Sequence, residues 1–131
     1  MTTVSQNKAL VERFNRDVHE GQQIQAFHEL VSPGFINHAA PQGKQGFTDT
    51  IHFFEHVLWP ALSGIRMEIL EQIGEGDRVV TRKILHAIQK QEFMGVPASN
   101  TAVEIKIIDI FRIAEGKLAE HWGMVDMHNW D

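Results

Sequence analysis

The sequence predicts an α+β domain: three N-terminal helices packed on one face of a curved, mostly antiparallel sheet. Two patterns carry that reading. Apolar residues recur at helical spacing from Leu10 to Leu58, and from Ile65 onward the period changes to alternation. The alternating part is divided by two strong turn sequences, Gly74-Glu75-Gly76-Asp77 and Glu115-Gly116. Helices followed by strands segregate to opposite layers. A sheet that curls around such helices encloses a cone with a pocket inside.

The first helix spans Thr3 to Glu20, with Leu10, Val11, Phe14 and Val18 on one face, Thr3 or Ser5 as cap and Gly21 as stop. A second, short helix runs from Gln23 to Val31 and is broken by Ser32-Pro33-Gly34. Phe35-Ile36-Asn37-His38 reads as a short strand, and Gly43 to Gly46 as a loop. The third helix runs from Phe47 to Leu58, with Pro60 stopping it or marking its last turn. A four-strand meander follows. Ile65, Met67 and Ile69 share a face of its first strand, Arg78 to Phe93 forms the second, and Gly95 to Asn100 is a loop before the final hairpin.

At 131 residues, with 43% apolar and 22% charged positions, the chain suits one globular domain that buries a core without staples. The absence of cysteine removes thiol chemistry and disulfides. A formal net charge of -5 argues against a nucleic-acid partner. No basic-then-apolar leader and no long apolar run is present, so neither export nor a membrane partner is expected, and the cytoplasm is the expected location.

The hairpin carries the chemistry. With a two-residue turn at Glu115-Gly116, Ile113 pairs with Leu118, Phe111 with Glu120, Asp109 with Trp122, Ile107 with Met124 and Ile105 with Asp126. Strict alternation then puts Ile105, Ile107, Asp109, Phe111, Glu120, Trp122, Met124 and Asp126 on one face. Three carboxylates among bulky apolar groups break the usual rule that strands turn their charges outward. A desolvated carboxylate gains basicity and can carry protons near neutral pH. That face is therefore expected to line a small-molecule pocket. The other face, with Ile108, Ile110, Ala119, His121 and Val125, is too apolar for water, and predicts a homodimer.

Several stretches together resemble the polyketide-cyclase-like proteins of the nuclear transport factor 2-like (NTF2-like) superfamily, typified by SnoaL. They are Asn7 to Phe14, Phe35-Ile36-Asn37-His38, Gly76 to Arg82, Glu92-Phe93-Met94-Gly95-Val96-Pro97, Ile110 to Ile113, and Gly116 to Trp122 continuing to Asp126. The resemblance implies a cone-shaped barrel, usually dimeric, and intramolecular aldol ring closure without metal or organic cofactor. It also implies that Asp126, at the position of the family's acid/base aspartate, is the catalytic group. The chain departs from the pattern at Ile88-Gln89-Lys90-Gln91, where relatives carry a Thr-His, and at Pro97-Ala98-Ser99-Asn100. The superfamily reuses the fold for other chemistries, so the site must decide function.

The candidate catalytic groups are thus Asp126, with Asp109 and His38 as helpers. Asn37, Trp59, Gln89, Phe93, Trp122 and Met124 are candidate wall or hydrogen-bonding residues. Glu120, near the open hairpin end, is assigned to solvent or an arginine, and His121 to the outer face. His52 and His56 have the spacing of two metal ligands, but no third ligand is identifiable, so they are read as an exposed helix face and no metal is expected. The C-terminal Met127-His128-Asn129-Trp130-Asp131 covers either the pocket mouth or the dimer seam. The rival to the cyclase or isomerase reading is a non-catalytic dimer that holds a small ligand in the same cavity.

Overall fold

The structure, a computed structural model, describes residues 2–126. Met127 to Asp131, and with them the expected covering role of the tail, lie outside the described residues. Helix α1 (Val4–Arg13) starts in a reciprocal cap: the Gln6 amide N–H donates to Thr3 Oγ1, and Thr3 N–H donates to Gln6 Oε1. It continues as a π-helical stretch, Phe14–Glu20, that ends at Gly21. Helix α2 (Ile24–Leu30) leads directly into strand β1 (Val31–Asn37). Helix α3 (Phe47–Phe53) also passes into a π-helical stretch, Phe54–Leu58, and a last turn at Trp59–Ala61 holds Pro60. Strands β2 (Leu62–Glu75), β3 (Arg78–Gln89), β4 (Ala102–Ala114) and β5 (Lys117–Asp126) complete one five-stranded sheet in the order β1-β5-β4-β3-β2. Every pairing is antiparallel except β1 with β5.

Three boundaries differ from expectation. Ser32-Pro33-Gly34 belongs to β1 instead of breaking the chain before it. β1 is an edge strand whose ladder lapses between Val31 and Ile36, where a proline lacking an N–H costs nothing. β2 is longer than its alternating core and absorbs irregularities between Ser63 and Arg66 and between Ile69 and Glu71. β3 stops at Gln89, not Phe93, because the backbone there turns to bond Thr101 and Asn100.

The largest correction lies in the hairpin. Its turn is the one expected, with Glu115 and Gly116 both at positive φ, as a tight right-twisting hairpin requires. Ile113 pairs with Leu118, but Arg112 pairs with Glu120, so Ala119 is an extra residue on β5. Leu118 and Ala119 are accordingly buried in succession. One inserted residue transfers everything beyond it to the opposite face. Phe111 now faces His121, Asp109 faces Gly123, and Ile107 faces Val125, while Trp122, Met124 and Asp126 sit opposite Ile110, Ile108 and Lys106.

The core fills the space between helices and the inner sheet face. Its hub is Phe27, fully buried, with its ring 4.9 Å from Phe47, 5.9 Å from Phe54, 6.1 Å from Phe14 and 6.5 Å from Phe35. Truncating a residue with this many neighbours leaves a cavity that the rings cannot close. Phe27→Ala is expected to lower unfolding free energy by about 3–5 kcal/mol in a denaturant titration. A loss under about 1 kcal/mol would show that the aromatic cluster repacks and is not the hub.

Candidate functional site

Alternate residues of β3 and β4 point at the helices: Val79, Thr81, Lys83, Leu85 and Ala87 on one, Ile105, Ile107, Asp109, Phe111 and Ile113 on the other. Two of these positions carry charge, and the two charges meet. Lys83 Nζ lies 2.7 Å from Asp109 Oδ2, with side chains only 2% and 6% exposed. Lys83 also donates to Asn15 Oδ1 at 2.6 Å, and Asn15 Nδ2 donates to the Val11 carbonyl at 3.0 Å. On its other oxygen, Asp109 Oδ1 bonds His121 Nε2 at 2.7 Å, and His121 Nδ1 lies 2.7 Å from Asn37 Oδ1. Five side chains thus form one relay, Asn37–His121–Asp109–Lys83–Asn15, buried from Asp109 to Asn15 and part-exposed at His121 and Asn37.

The relay fixes its own protons. Asn37 Oδ1 also accepts the Ala39 amide N–H at 3.1 Å, which identifies it as the oxygen. Both ring nitrogens of His121 therefore face acceptors, and both bonds are made only when the ring carries both protons. Burial pushes the Asp109 carboxyl up, but the adjacent Lys83 charge and the His121 hydrogen bond outweigh it, holding the group well below the usual carboxylate range. Asp109 is thus a fixed anion that holds His121 Nε2 and orients the imidazole. His121 keeps its side chain 17% exposed, so the ring remains reachable.

Gly123 makes this contact possible. A Cβ there would meet His121 Cε1 at 2.9 Å and Asp109 Oδ1 at 3.0 Å, so only glycine lets the imidazole lie across to the carboxylate.

The expected site residues divide by face. Asp109 and Asn37 belong to the relay. Asp126, Trp122 and Met124, expected on the inner face, are on the outer one because of the bulge at Ala119. Trp122 stacks on His38, with centroids 4.8 Å apart and planes 8° apart, and Arg78 lies over its ring. His38 Nε2 binds Glu120 Oε2 at 2.7 Å, and Glu120 binds Arg112 at 2.5 Å, so His38 points away from Asp109 while Glu120 has its arginine. Gln89 is buried, but its amide N–H groups are directed at the carbonyls of Gln91, Val96 and Pro97; it pins the loop and has no donor to spare for a ligand. Phe93 is buried beneath the same loop, against Phe53. Trp59 remains at the inner wall, on Phe54.

His121, Lys83, Asn15 and His19 were not foreseen at the site. Stepping by two from Val79 passes through Lys83, so a lysine at an inward position was visible; Asn15 likewise stands among Val11, Phe14 and Val18 on the buried helix face. His19 packs edge-on to Phe14 at 5.2 Å and against Phe54 at 5.0 Å. Burial, reinforced by the Lys83 charge, pushes its imidazole down to about 3. The rings of His52, on α3, and His56, on the π-helical stretch after it, lie 4.4 Å apart and exposed, and no group of three potential metal ligands occurs among the described residues. No described helix is long and apolar enough to cross a membrane.

The comparisons agree with this architecture. The profile of the SnoaL-like polyketide cyclase family matches residues 9–129, and the chain belongs to that family. Among solved structures it is similar to TsrD from Streptomyces laurentii, with 21% identity, a TM-score of 0.83 and coverage of 96% of this chain and 92% of that one. A SnoaL-like protein from Jannaschia sp. CCS1 shares 26% identity at a TM-score of 0.80, covering 96% and 90%. A SnoaL-like polyketide cyclase from Agrobacterium tumefaciens shares 14% identity at a TM-score of 0.81, covering 96% and 93%. No curated protein matches this chain.

The buried pair has a pH signature. Because the folded Asp109 carboxyl is more acidic than its unfolded value of 3.8, its contribution to stability is present above that value and lost as pH falls through the folded one. Removing Lys83 raises the folded value. Lys83→Met is expected to lose about 3–5 kcal/mol at neutral pH and to unfold at a higher pH on acidification, read by circular dichroism. An unchanged acid midpoint would mean that Lys83 does not compensate Asp109.

Proposed function

We propose that the chain is an acid/base enzyme of the SnoaL-like type, acting on a small or medium carbonyl compound at the inner face of the sheet. The reaction is an intramolecular aldol-type ring closure or a related proton transfer. The observation that supports it is the Asp109–His121–Asn37 line: an ionised carboxylate, itself held by a buried lysine, aligns an accessible imidazole whose Nδ1–H is met only by a neutral amide oxygen. A substrate carbonyl oxygen replaces Asn37 Oδ1 as the acceptor of that proton and is polarised. As an enolate carbon forms the new C–C bond, the carbonyl becomes an alkoxide and takes the Nδ1 proton. The α-proton leaves to solvent when the enolate forms, and solvent returns one proton to Nδ1 after the alkoxide has taken it, so the ring is unchanged over the cycle. Asp109 orients the ring, as the carboxylate of a catalytic triad does. Asp126, opposite Lys106, favours this role less than its sequence position implies.

The test is exchange of α-hydrogens in D2O, followed by proton NMR on 1-phenyl-1,3-butanedione. The purified protein is expected to accelerate exchange, and His121→Gln and Asp109→Asn each to lose about 10²-fold or more of that acceleration. A ligand that binds without any enhanced exchange would assign the inner face to a carrier instead.

We further propose that the protein is a homodimer through the outer sheet face. The bulge gives that face Ile108, Ile110, Trp122 and Met124, with Ile36 beside them, and Ile108, Met124 and Ile36 are 49%, 78% and 41% exposed. A two-fold axis there would bury the same patch on both copies. Met124→Lys is expected to convert a dimer to a monomer in analytical ultracentrifugation, with no change in the inner-face chemistry. A wild-type chain that sediments as a monomer would overturn the proposal.

A further inference from the structure

Two buried side-chain polar atoms among the described residues have no hydrogen-bond partner: His19 Nδ1 and Trp59 Nε1. Such orphans are uncommon, and each costs about 1–3 kcal/mol if left unpaired. These two are not scattered. Both rings pack on Phe54, His19 at 5.0 Å and Trp59 at 5.7 Å. Ring contacts continue from His19 to Phe14 at 5.2 Å, from Phe14 to Phe111 at 5.6 Å, and from Phe111 to His121 at 4.8 Å. One aromatic wall thus runs from the relay to both orphans.

The wall is also where the helices depart from regular geometry. Phe14 and His19 lie in the π-helical stretch Phe14–Glu20, Phe54 lies in Phe54–Leu58, and Trp59 follows that stretch directly. π-Helical insertions are locally deformable and recur at functional sites. Neither orphan atom is reachable by water in this closed arrangement, so anything that pairs with them enters as the wall shifts.

We propose that His19 and Trp59 form an oxygen-binding subsite, which opens at the two π-helical stretches and selects ligands with a second neutral oxygen, a ketone or enol, remote from the oxygen held at His121. Trp59 has only an N–H to offer, so its partner is an acceptor. His19, kept neutral by its surroundings, donates from Nδ1 in one tautomer without adding charge, which suits an uncharged oxygen rather than a carboxylate. The Phe14, Phe54 and Phe111 rings between the two ends suit an apolar or aromatic body. This deepens the inner-face reading above and rests on it for the second oxygen at His121.

The test uses a pair of probes with one carbon skeleton, 1,4-diacetylbenzene, a dione with a ring between its two oxygens, and 1,4-diethylbenzene, each titrated by calorimetry. Wild-type protein is expected to prefer the dione by tenfold or more. Trp59→Phe and His19→Phe each keep an aromatic ring and remove the orphan. Each is expected to reduce that preference about fivefold, the worth of one hydrogen bond, with affinity for 1,4-diethylbenzene unchanged and the ligand-free melting temperature equal or higher. The wild-type protein gives an independent reading by NMR: the Trp59 indole N–H resonance should move on adding the dione but not the hydrocarbon. No preference for the dione in wild type, or a preference both variants retain together with an unmoved indole resonance, would overturn the subsite. Binding preference is read apart from α-hydrogen exchange, so loss of exchange with retained preference would count against the acid/base assignment alone.

Discussion

A carboxylate inside an apolar layer is the constraint to which the surrounding structure answers. Asp109 is 4% exposed, and an isolated charge at that depth would be expelled or neutralised. It is kept because three elements supply partners: β3 brings Lys83, β5 brings His121, and the π-helical end of the first helix brings Asn15 to hold the lysine. Removing any one leaves a buried polar group unpaired, so the relay, like the Phe27 cluster, ties the helical layer to the sheet. The same arrangement leaves one edge of the imidazole facing a weak acceptor, Asn37. The contacts that stabilise the buried charge are therefore the ones the proposed chemistry uses.

The bulge at Ala119 decides which residues take part. Without it, the outer Trp122 would face Asp109 and the imidazole would lie outside. With it, β5 presents two chemically distinct faces. The inner face carries His121 and Gly123, and at its open end the exposed Val125. Outside, Trp122 stacks on the His38 ring and lies under the Arg78 guanidinium, with the Arg112–Glu120 ion pair and the Glu120–His38 hydrogen bond alongside. Gly123 completes the inner face by the absence of a side chain, as its would-be Cβ contacts show.

Much of this was legible in the sequence. The change of period at Ile65, the caps and the two turns give the α+β class, and the motifs from Asn7 to Asp126 give the family. Asp109 as an inward charge follows from alternation alone, because β4 has no irregularity between Ile105 and Ile113. The site was less legible for a local physical reason. A bulge inserts one residue without a marker: Leu118-Ala119 offers neither glycine nor proline at the extra position, so strict alternation carried Trp122, Met124 and Asp126 to the wrong face. Gln89 misled differently, since its donors are taken by a loop whose path is set by tertiary contacts. The π-helical stretches are also invisible to a 3.6-residue periodicity, which is why His19 stood outside every pattern.

The register of β5 against β4 carries the whole assignment, and it can be observed in solution. Cross-strand contacts between backbone protons in nuclear Overhauser spectra read it residue by residue. The structure predicts that Asp109 contacts Gly123 and Phe111 contacts His121, with Ile113 still paired to Leu118. Contacts from Asp109 to Trp122 and from Phe111 to Glu120 would mean an unbulged hairpin, would return Asp126 to the inner face, and would contradict the His121 site.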